Sequence, residues 1–467
     1  KKTRGVFCLR LCVGFLIYLL GGFPTLVFAL PQDGEIVSGS ANIVTSGNDM
    51  VVHQGSDKLI TNWQSFNIGG GESVEFKQPS ASSIALNNVI GLSPSLILGS
   101  LKSNGQVFIS NGSGVIFGQS AQVNVGGLLA TTLGITNEDF LAGDYNFTQD
   151  ASRPLSSVIN RGLIEASYVG LLAPGVENTG TIVANLGSVA MASGKAASMD
   201  FVGDGLINFA ITEAVDGDVL DDEGNVIGHR VKNTGLIQAN GGRVVLSARD
   251  AGNIIQNVVN NTGIIEAHSA VERNGEIFLM GGDSGVVASS GTLDASGKES
   301  GQTGGTVHMV GEKVGVFGEG VVDVSGNAGG GTALIGGDYQ GKGLVPTSEK
   351  TYFHSTAFVT ADALTSGDGG KVILWADDTT YFYGGISAIA GYKNGDGGFV
   401  ETSGKNYLDF DGSVDVAAIN GIGGTVLLDP TSITLLSGVD SNSTGFTAGS
   451  NRSEEHTSEL QSHSFIS

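Results

Sequence analysis

The chain has 467 residues, with 23 Lys and Arg against 46 Asp and Glu, for a formal net charge of −23. It holds 75 Gly without a Gly-X-Y period, 40% hydrophobic and only 15% charged residues. That composition excludes collagen and wholesale disorder, and it leaves too little Lys, Glu, Gln and Arg for a helical bundle. The acidic balance also argues against nucleic-acid binding, which needs a basic footprint, and against charge-driven attachment to an anionic membrane.

Residues 1–29 read as a secretory signal peptide. Lys1, Lys2, Arg4 and Arg10 are basic, Leu11 to Leu20 is apolar, and Val27-Phe28-Ala29 offers small residues for cleavage after Ala29. Removing four of 23 basic residues leaves 19 against 46 acids, so the mature chain is more acidic still. Both cysteines, Cys8 and Cys12, lie in this segment, so a cleaved product has no disulfide and no thiolate metal site. The chain does not begin with Met, and its start is read as incomplete.

Residues 30–157 alternate apolar and polar over short runs. Leu59 to Phe76 (LITNWQSFNIGGGESVEF) predicts two strands around a Gly70-Gly71 turn. In Gln106 to Thr132 (QVFISNGSGVIFGQSAQVNVGGLLATT) the apolar residues come in pairs two apart: Val107 and Ile109, Val115 and Phe117, Val123 and Val125. Such a pattern gives strands with one buried face, separated by the corners Asn111-Gly112-Ser113-Gly114 and Gly126-Gly127. Asn137 to Ser156 breaks the rhythm and is expected to form a projecting hairpin.

Residues 158–450 then read as stacked repeats. Asn-x-Gly-x-Ile-x-Ala starts at Asn160, Asn178, Asn233 and Asn261, each unit being a turn followed by a short strand. An acidic insertion, Ser198 to His229, predicts a hairpin or loop on one side. Further on, Gly304-Gly305, Gly369-Gly370, Gly397-Gly398 and Gly423-Gly424 each precede a strand, while Pro346 to Phe353 reads as a loop. A single turn-plus-strand unit cannot bury both faces, so the units must stack as a β-solenoid. Residues 451–467 (NRSEEHTSELQSHSFIS) change character, and the run looks like a translated sequencing adapter: a non-native tail on a truncated chain.

The chemistry-bearing residues are sparse. The seven His are scattered without metal-ligand spacing. Asp283, Asp338, Asp368 and Asp396 follow glycines but are not in tandem, so they read as corner caps rather than calcium ligands. Asp409, Asp411 and Asp415 alternate and are expected to share the outer face of one strand. No catalytic constellation, metal or cofactor is called, and the chain is read as a non-enzyme. A β-helical polysaccharide-acting enzyme and a haem-capturing exoprotein using His354, Tyr381 and Tyr383 stand as alternatives.

Several motifs in order resemble one family. Asn104 to Phe108, Val115 to Gly118, Gln122 to Leu128 and Ala130 to Thr132 resemble "NGQVFLINPNGIVFGxxAQVNVGGLVAST" of two-partner secretion exoproteins, the filamentous-haemagglutinin family of Gram-negative bacteria. Trp63 to Ile68 resembles its "W-x-x-F-N-I" strand, with Trp63 and Phe66 in place, and Asn137 to Phe140 resembles its extra-helical segment. Gly336-Gly337-Asp338, Val372 to Asp377 and Thr425 to Pro430 resemble the β-helical stem of many members. The resemblance implies an all-β fold: a right-handed parallel β-helix with extra-helical hairpins and loops. It implies that Asn111, Gly112, Ser113, Gly114, Trp63, Phe66, Asn124, Gly126 and Gly127 belong to the secretion motif. Asn111 and Gly114 are retained from Asn-Pro-Asn-Gly, whereas Gly112 and Ser113 depart from it, which puts export efficiency in question. It implies recognition of the N-terminal domain by the POTRA domains of a cognate outer-membrane transporter, passage through the periplasm, and display on the cell surface or release. The expected role is adhesion to a host surface, a carbohydrate or another cell.

Overall fold

The computed structural model describes residues 30–201, 206–251, 257–270, 273–430 and 460–463. The signal peptide with Ala29, and most of the 451–467 tail, lie outside the described residues. Strands dominate what is described. Long sheets of 15, 11 and 14 strands, here sheets A, B and C, run its length, and a smaller sheet has three strands.

The chain visits the long sheets in a fixed order. Gln106–Ser110 lies in sheet A, Val115–Phe117 in sheet B and Gln122–Asn124 in sheet C. The next strand, Gly127–Thr131, returns to sheet A parallel to Gln106–Ser110, with Gly127 opposite Gln106 and Thr131 opposite Ser110. One circuit is one rung of a parallel β-helix, as the periodicity and the resemblance both predict. The sheets continue past position 157 without a break, since Val115 pairs with Val158 and Gln122 with Leu163.

Register puts like residues on top of one another. On the inner face of sheet A, Val107, Leu128, Val169, Val189, Val244 and Ile277 stack in successive rungs, and each is fully buried. Burying a Val, Leu or Ile stabilises by roughly 1.5–3 kcal/mol, and most of that gain exists only when the next rung is in place. The alternation read in Gln106 to Thr132 is confirmed: Val107, Ile109, Val115, Phe117, Val123 and Val125 all lie in the core.

The corners explain the Gly content. Between sheets C and A the backbones of Gly275, Gly305, Gly331, Gly370, Gly398 and Gly424 stack directly, and a Cβ on any of the last five would collide with the carbonyl of the glycine below. The Gly-Gly dipeptides of the sequence are therefore one ladder, which Gly330-Gly331 also joins.

The Asn-x-Gly repeat forms a second ladder, at the corner between sheets B and C. Asn160 Nδ2 donates to Asn178 Oδ1 at 2.8 Å, Asn178 to Asn233 at 2.8 Å, and Asn233 to Asn261 at 2.9 Å. Asn261 ends the series by donating to Ser289 Oγ at 3.2 Å. All four Asn side chains are buried and hydrogen-bonded to one another, as buried amides must be.

Both ends carry antiparallel strands. Glu35–Ser38 pairs with Lys58–Trp63, and the hairpin of Ala41–Ser46 and Asp49–Gln54 leads into sheet C. Leu460–His463 pairs antiparallel with Thr425–Leu428.

The large insertions enter at the corner between sheets A and B: 132–156, 194–228 and 336–349 all follow a sheet A strand and precede a sheet B strand. The first differs from expectation. Instead of a self-paired hairpin it forms a helix, Asn137–Ala142, and a strand, Tyr145–Thr148, which pairs with Ala196–Phe201 of the second insertion. The second insertion contains a hairpin, Ala196–Phe201 with Ile207–Glu213, which lies ahead of the acidic stretch; at the acidic tip itself, Leu220 bridges Val226 antiparallel and Asp221 N donates to Asn225 O at 2.9 Å. The third lies slightly earlier than expected: Lys350–Phe353 is a sheet B strand, and the loop is 336–349.

Together the first two insertions cover the outer face of sheet A. Ile60, Leu86, Phe108, Leu129 and Leu172 project outward and are buried beneath Phe140, Phe147, Met199 and Phe209. This is why Phe108 is apolar although Val107 and Ile109 already supply the inner face.

Candidate secretion site

Asn111 follows the sheet A strand Gln106–Ser110 and is fully buried. Its amide satisfies three partners. Nδ2 donates to Ser93 O and to Ser95 Oγ, each at 3.0 Å, and Oδ1 accepts from Ser113 N at 3.0 Å. The last bond is an Asx turn, which presets the reversal, and Gly114 N closes it by donating to Asn111 O at 3.0 Å. Gly114 has φ +121°, a conformation that favours glycine. The two retained motif residues are thus the two that the geometry requires.

The two departures from the family pattern meet one residue. Arg153, from the first insertion, packs over Gly112, and a Cβ there would lie 2.5 Å from Arg153 Cδ. Arg153 Nη1 donates to Ser113 Oγ at 3.0 Å and to Gly91 O at 2.9 Å, and Nη2 donates to Ile90 O at 3.2 Å. Nothing in the sequence pattern singled out Arg153.

The remaining motif residues fall into three places. Gly126 and Gly127 form the sheet C to sheet A corner of the same rung, Gly126 N donating to Gly105 O at 2.8 Å. The Tyr168 ring lies over Gly127 and its hydroxyl donates to Gln106 Oε1 at 2.6 Å, so Gly127 leaves the space the ring fills. Asn124 is exposed on the outer face of sheet C, away from the turn. Trp63 ends its strand and Phe66 lies in the following corner; both are buried, with ring centroids 5.7 Å apart at 76°. Trp63 reaches the motif rung through one intermediary. Its Nε1 donates to Asn87 Oδ1 at 3.0 Å, and Asn87 Nδ2 donates to Phe108 O at 3.2 Å. Asn87 was not anticipated, although an Asn within an apolar strand is the signal that could have found it.

The extra-helical helix is fastened across this site. Thr136 Oγ1 caps it, accepting from Asp139 N at 3.1 Å, and Gly143 ends it with φ +90°. Lys58 Nζ donates to Phe140 O at 2.8 Å and Leu141 O at 2.9 Å, placing a cation on the negative end of the helix.

The TPS secretion domain family matches residues 28–309, more than half of the chain. The chain belongs to the TPS secretion domain family. Two heme/hemopexin-binding proteins of Haemophilus influenzae are similar: one is 37% identical over 262 residues, covering 54% of this chain and 27% of that protein. The other is 42% identical over 120 residues, covering 26% and 13%. The chain thus spans about a quarter or less of the length of these curated relatives. The crystal structure of the HMW1 secretion domain from Haemophilus influenzae superposes with a TM-score of 0.71 at 29% identity, covering 85% of this chain and all of that one. As a TPS member the chain carries the secretion domain of an exoprotein exported through a cognate outer-membrane transporter of a Gram-negative bacterium.

Outside the motif, the acidic residues differ from expectation in one respect. Asp409 lies in the sheet B strand Tyr407–Phe410 and Asp415 in the sheet C strand Ser413–Asp415, with Asp411-Gly412 forming the corner between them. A corner between two short strands preserves apolar alternation while changing the sheet, so these acids do not share one strand face. Three of the four glycine-flanked Asp residues cap backbone: Asp368 Oδ1 accepts from Asp396 N at 2.8 Å, Asp396 Oδ1 from Ile422 N at 2.7 Å and Asp338 Oδ1 from Tyr339 N at 2.7 Å, whereas Asp283 is exposed and lies 3.8 Å from Arg249.

One buried acid was not legible. Glu401 is fully buried on the outer face of sheet A under the third insertion, with Gln340 N donating to Oε2 at 3.0 Å. Burial pushes its carboxyl up to about 7. The haem candidates His354, Tyr381 and Tyr383 do come together, joined by Tyr352, with ring centroids 6.0–6.5 Å apart. Tyr381 stands on the outer face of sheet B, His354 and Tyr383 follow directly on the ends of their sheet B strands, and His354 Nδ1 is engaged with Thr356.

Proposed function

We propose that this chain is the N-terminal part of an adhesive exoprotein, in which 30–157 addresses the protein to its transporter and 158–450 forms the stem. In this reading the signal peptide is removed after Ala29 and the protein crosses the periplasm. The POTRA domains of the transporter then engage the rungs around Asn111, Gly112, Ser113 and Gly114. An extended segment adding to an exposed sheet edge is a physical mode for that engagement. The observation that carries the reading is the family match over residues 28–309, on a β-helix whose buried Asn111 turn is fully satisfied. Deleting residues 30–132 in cells with the cognate transporter should abolish secretion; export at the normal level would overturn the assignment.

Rung-by-rung burial also supports outward folding as a contribution to export, because each emerging rung buries its apolar face on the last. Adhesion is supported by the length of continuous, largely polar outer surface that such a stem presents. Cells expressing the protein should attach to a host-cell layer more than cells lacking it, and equal attachment would remove the adhesive role.

Haem capture is the second reading, favoured by the similarity to the two heme/hemopexin-binding proteins and by the grouping of His354, Tyr381 and Tyr383. A haem titration giving a stoichiometric Soret shift, lost in the variant His354→Ala/Tyr383→Phe, would establish it; no spectral change would reject it.

A further inference from the structure

Sheet B changes character along its length. At one outward register position the residues run Lys232, Asn260, Ala288, Gly315, Tyr352, Tyr381 and Asp409 in successive rungs. The shift from small and polar to aromatic is abrupt. Four of the nine tyrosines of the chain, Tyr352, Tyr381, Tyr383 and Tyr407, fall on this one face within three rungs. Phe317 extends the patch by one rung: its ring folds over Gly315, where a Cβ would collide with it, and stacks beside Tyr352 at 5.2 Å and 24°.

The patch is exposed and ordered at once. Phe317 is 40% and Tyr407 53% exposed, and the other three tyrosines are half-buried. Leaving large rings in water is unfavourable, and nothing in the inner packing demands it, because the inward neighbours Phe353 and Phe382 fill the core by themselves. Apart from the Phe317–Tyr352 pair, the rings do not cover each other by flat stacking either. Tyr352 meets Tyr383 at 75° and Tyr381 meets Tyr407 at 64°. Tyr383 is held in place by donating its hydroxyl to Asp409 Oδ2 at 2.9 Å. Lys350, Asp378 and Asn406 border the rings, with Asn406 Nδ2 donating to Asp378 Oδ1 at 3.2 Å and Lys350 Nζ 3.7 Å from Asp378.

We propose that Phe317, Tyr352, Tyr381, Tyr383 and Tyr407 form a binding platform for a neutral oligosaccharide chain. It deepens, and rests on, the adhesive reading above. A sugar ring presents a face of weakly positive C–H groups, which suits the negative face of an aromatic ring, while its edge hydroxyls need donors and acceptors. The platform supplies both, rings in the middle and Asp409, Asp378, Asn406 and Lys350 around them. The three spacings between four rungs, roughly 4.8 Å each, give a floor roughly 14 Å long, suited to several sugar units in a row. A polyanionic glycan is disfavoured by the net charge of −23. Tyrosine is also common at protein hot spots, but those sit in well-packed, fully desolvated pockets, whereas this face is open.

The test is titration of the full chain with cellohexaose and chitohexaose, read by calorimetry and by tyrosine fluorescence, beside the variant Tyr352→Ala/Tyr381→Ala. Both positions face outward, and circular dichroism and thermal melting would confirm that the variant is folded. Saturable binding of either probe, weakened at least tenfold in the folded variant, is the expected result. Absence of binding to both probes, or equal binding by the variant, overturns the platform. Retention of a host protein by the parent chain but not by the variant, without glycan binding, reassigns the face to a protein and also overturns it. Host-cell attachment measured in parallel separates the two readings. Attachment unaffected by the double variant, with neither probe bound, removes the platform and leaves the adhesive reading standing. Glycan binding without attachment does the reverse.

Discussion

Arg153 lies directly over Gly112, its Cδ 2.5 Å from where a Cβ at 112 would be. The glycine at this motif position and the arginine of the first insertion therefore form a matched pair. We predict that Gly112→Ala alone destabilises by about 1–3 kcal/mol through overpacking. Combined with Arg153→Ala the cost of the alanine at 112 should largely vanish. A double-mutant cycle by urea denaturation measures the coupling, and additive effects would show that the contact is not tight.

The asparagine ladder predicts an interior polar dependence. Asn233→Ala leaves Asn178 Nδ2 and Asn261 Oδ1 without their ladder partners in a dry interior. Each unsatisfied buried group costs about 1–3 kcal/mol, so a loss of about 3 kcal/mol is expected, well above that of an exposed Asn such as Asn124. Denaturant midpoints of Asn233→Ala and Asn124→Ala, compared side by side, check the ranking.

Glu401 predicts that stability falls as pH rises. Burial raises its carboxyl to about 7 and the Asp429 charge adds to this, while Gln340 N–H and Lys371 oppose it. Unfolded, a Glu titrates near 4.5. Between those values the folded state binds the extra proton, so stability decreases from pH 4.5 to 7. Glu401→Gln should flatten that slope and raise stability at pH 8 by up to about 3 kcal/mol. Thermal melts of both proteins from pH 4 to 8 provide the measurement, and parallel profiles would count against it.

Glu177 predicts the opposite sign at lower pH. His229, its Nε2 3.5 Å from the carboxylate, and Lys232, its Nζ at 3.1 Å, work against the cost of burial and lower its carboxyl to about 2. Its stabilising contribution is complete above 4.5 and disappears as pH falls toward 2. Glu177→Gln should cost up to about 3 kcal/mol at pH 6 and little at pH 2. Acid titrations followed by circular dichroism distinguish the two proteins.

The fold was legible wherever side chains alternate, because alternation states which face is buried. Val107 and Ile109 gave the inner face of sheet A, and the Asn-x-Gly units gave the rungs that carry them. Alternation does not reveal a change of sheet, which is why Asp409 and Asp415 read as one strand. Nor does it reveal an outer face covered by insertions. Phe108 is buried by Phe140 and Tyr145, which follow it by 32 and more positions and reach it only by folding back. At the candidate site, Asn111 and Gly114 were legible because turn chemistry is local. Arg153 and Asn87 were not, because each acts across rungs.

Each strand of the long sheets is locked to its neighbours by register, with the Asn ladder from Asn160 to Ser289 and the Gly ladder from Gly275 to Gly424 adding to it, so residues cannot be added or removed within a strand without shifting a whole sheet. The corner that hosts 132–156, 194–228 and 336–349 has no such lock. Length variation between relatives should therefore collect along one edge of the β-helix. That edge is also where a foreign epitope or a fluorescent tag could be spliced in while the exported scaffold stays intact.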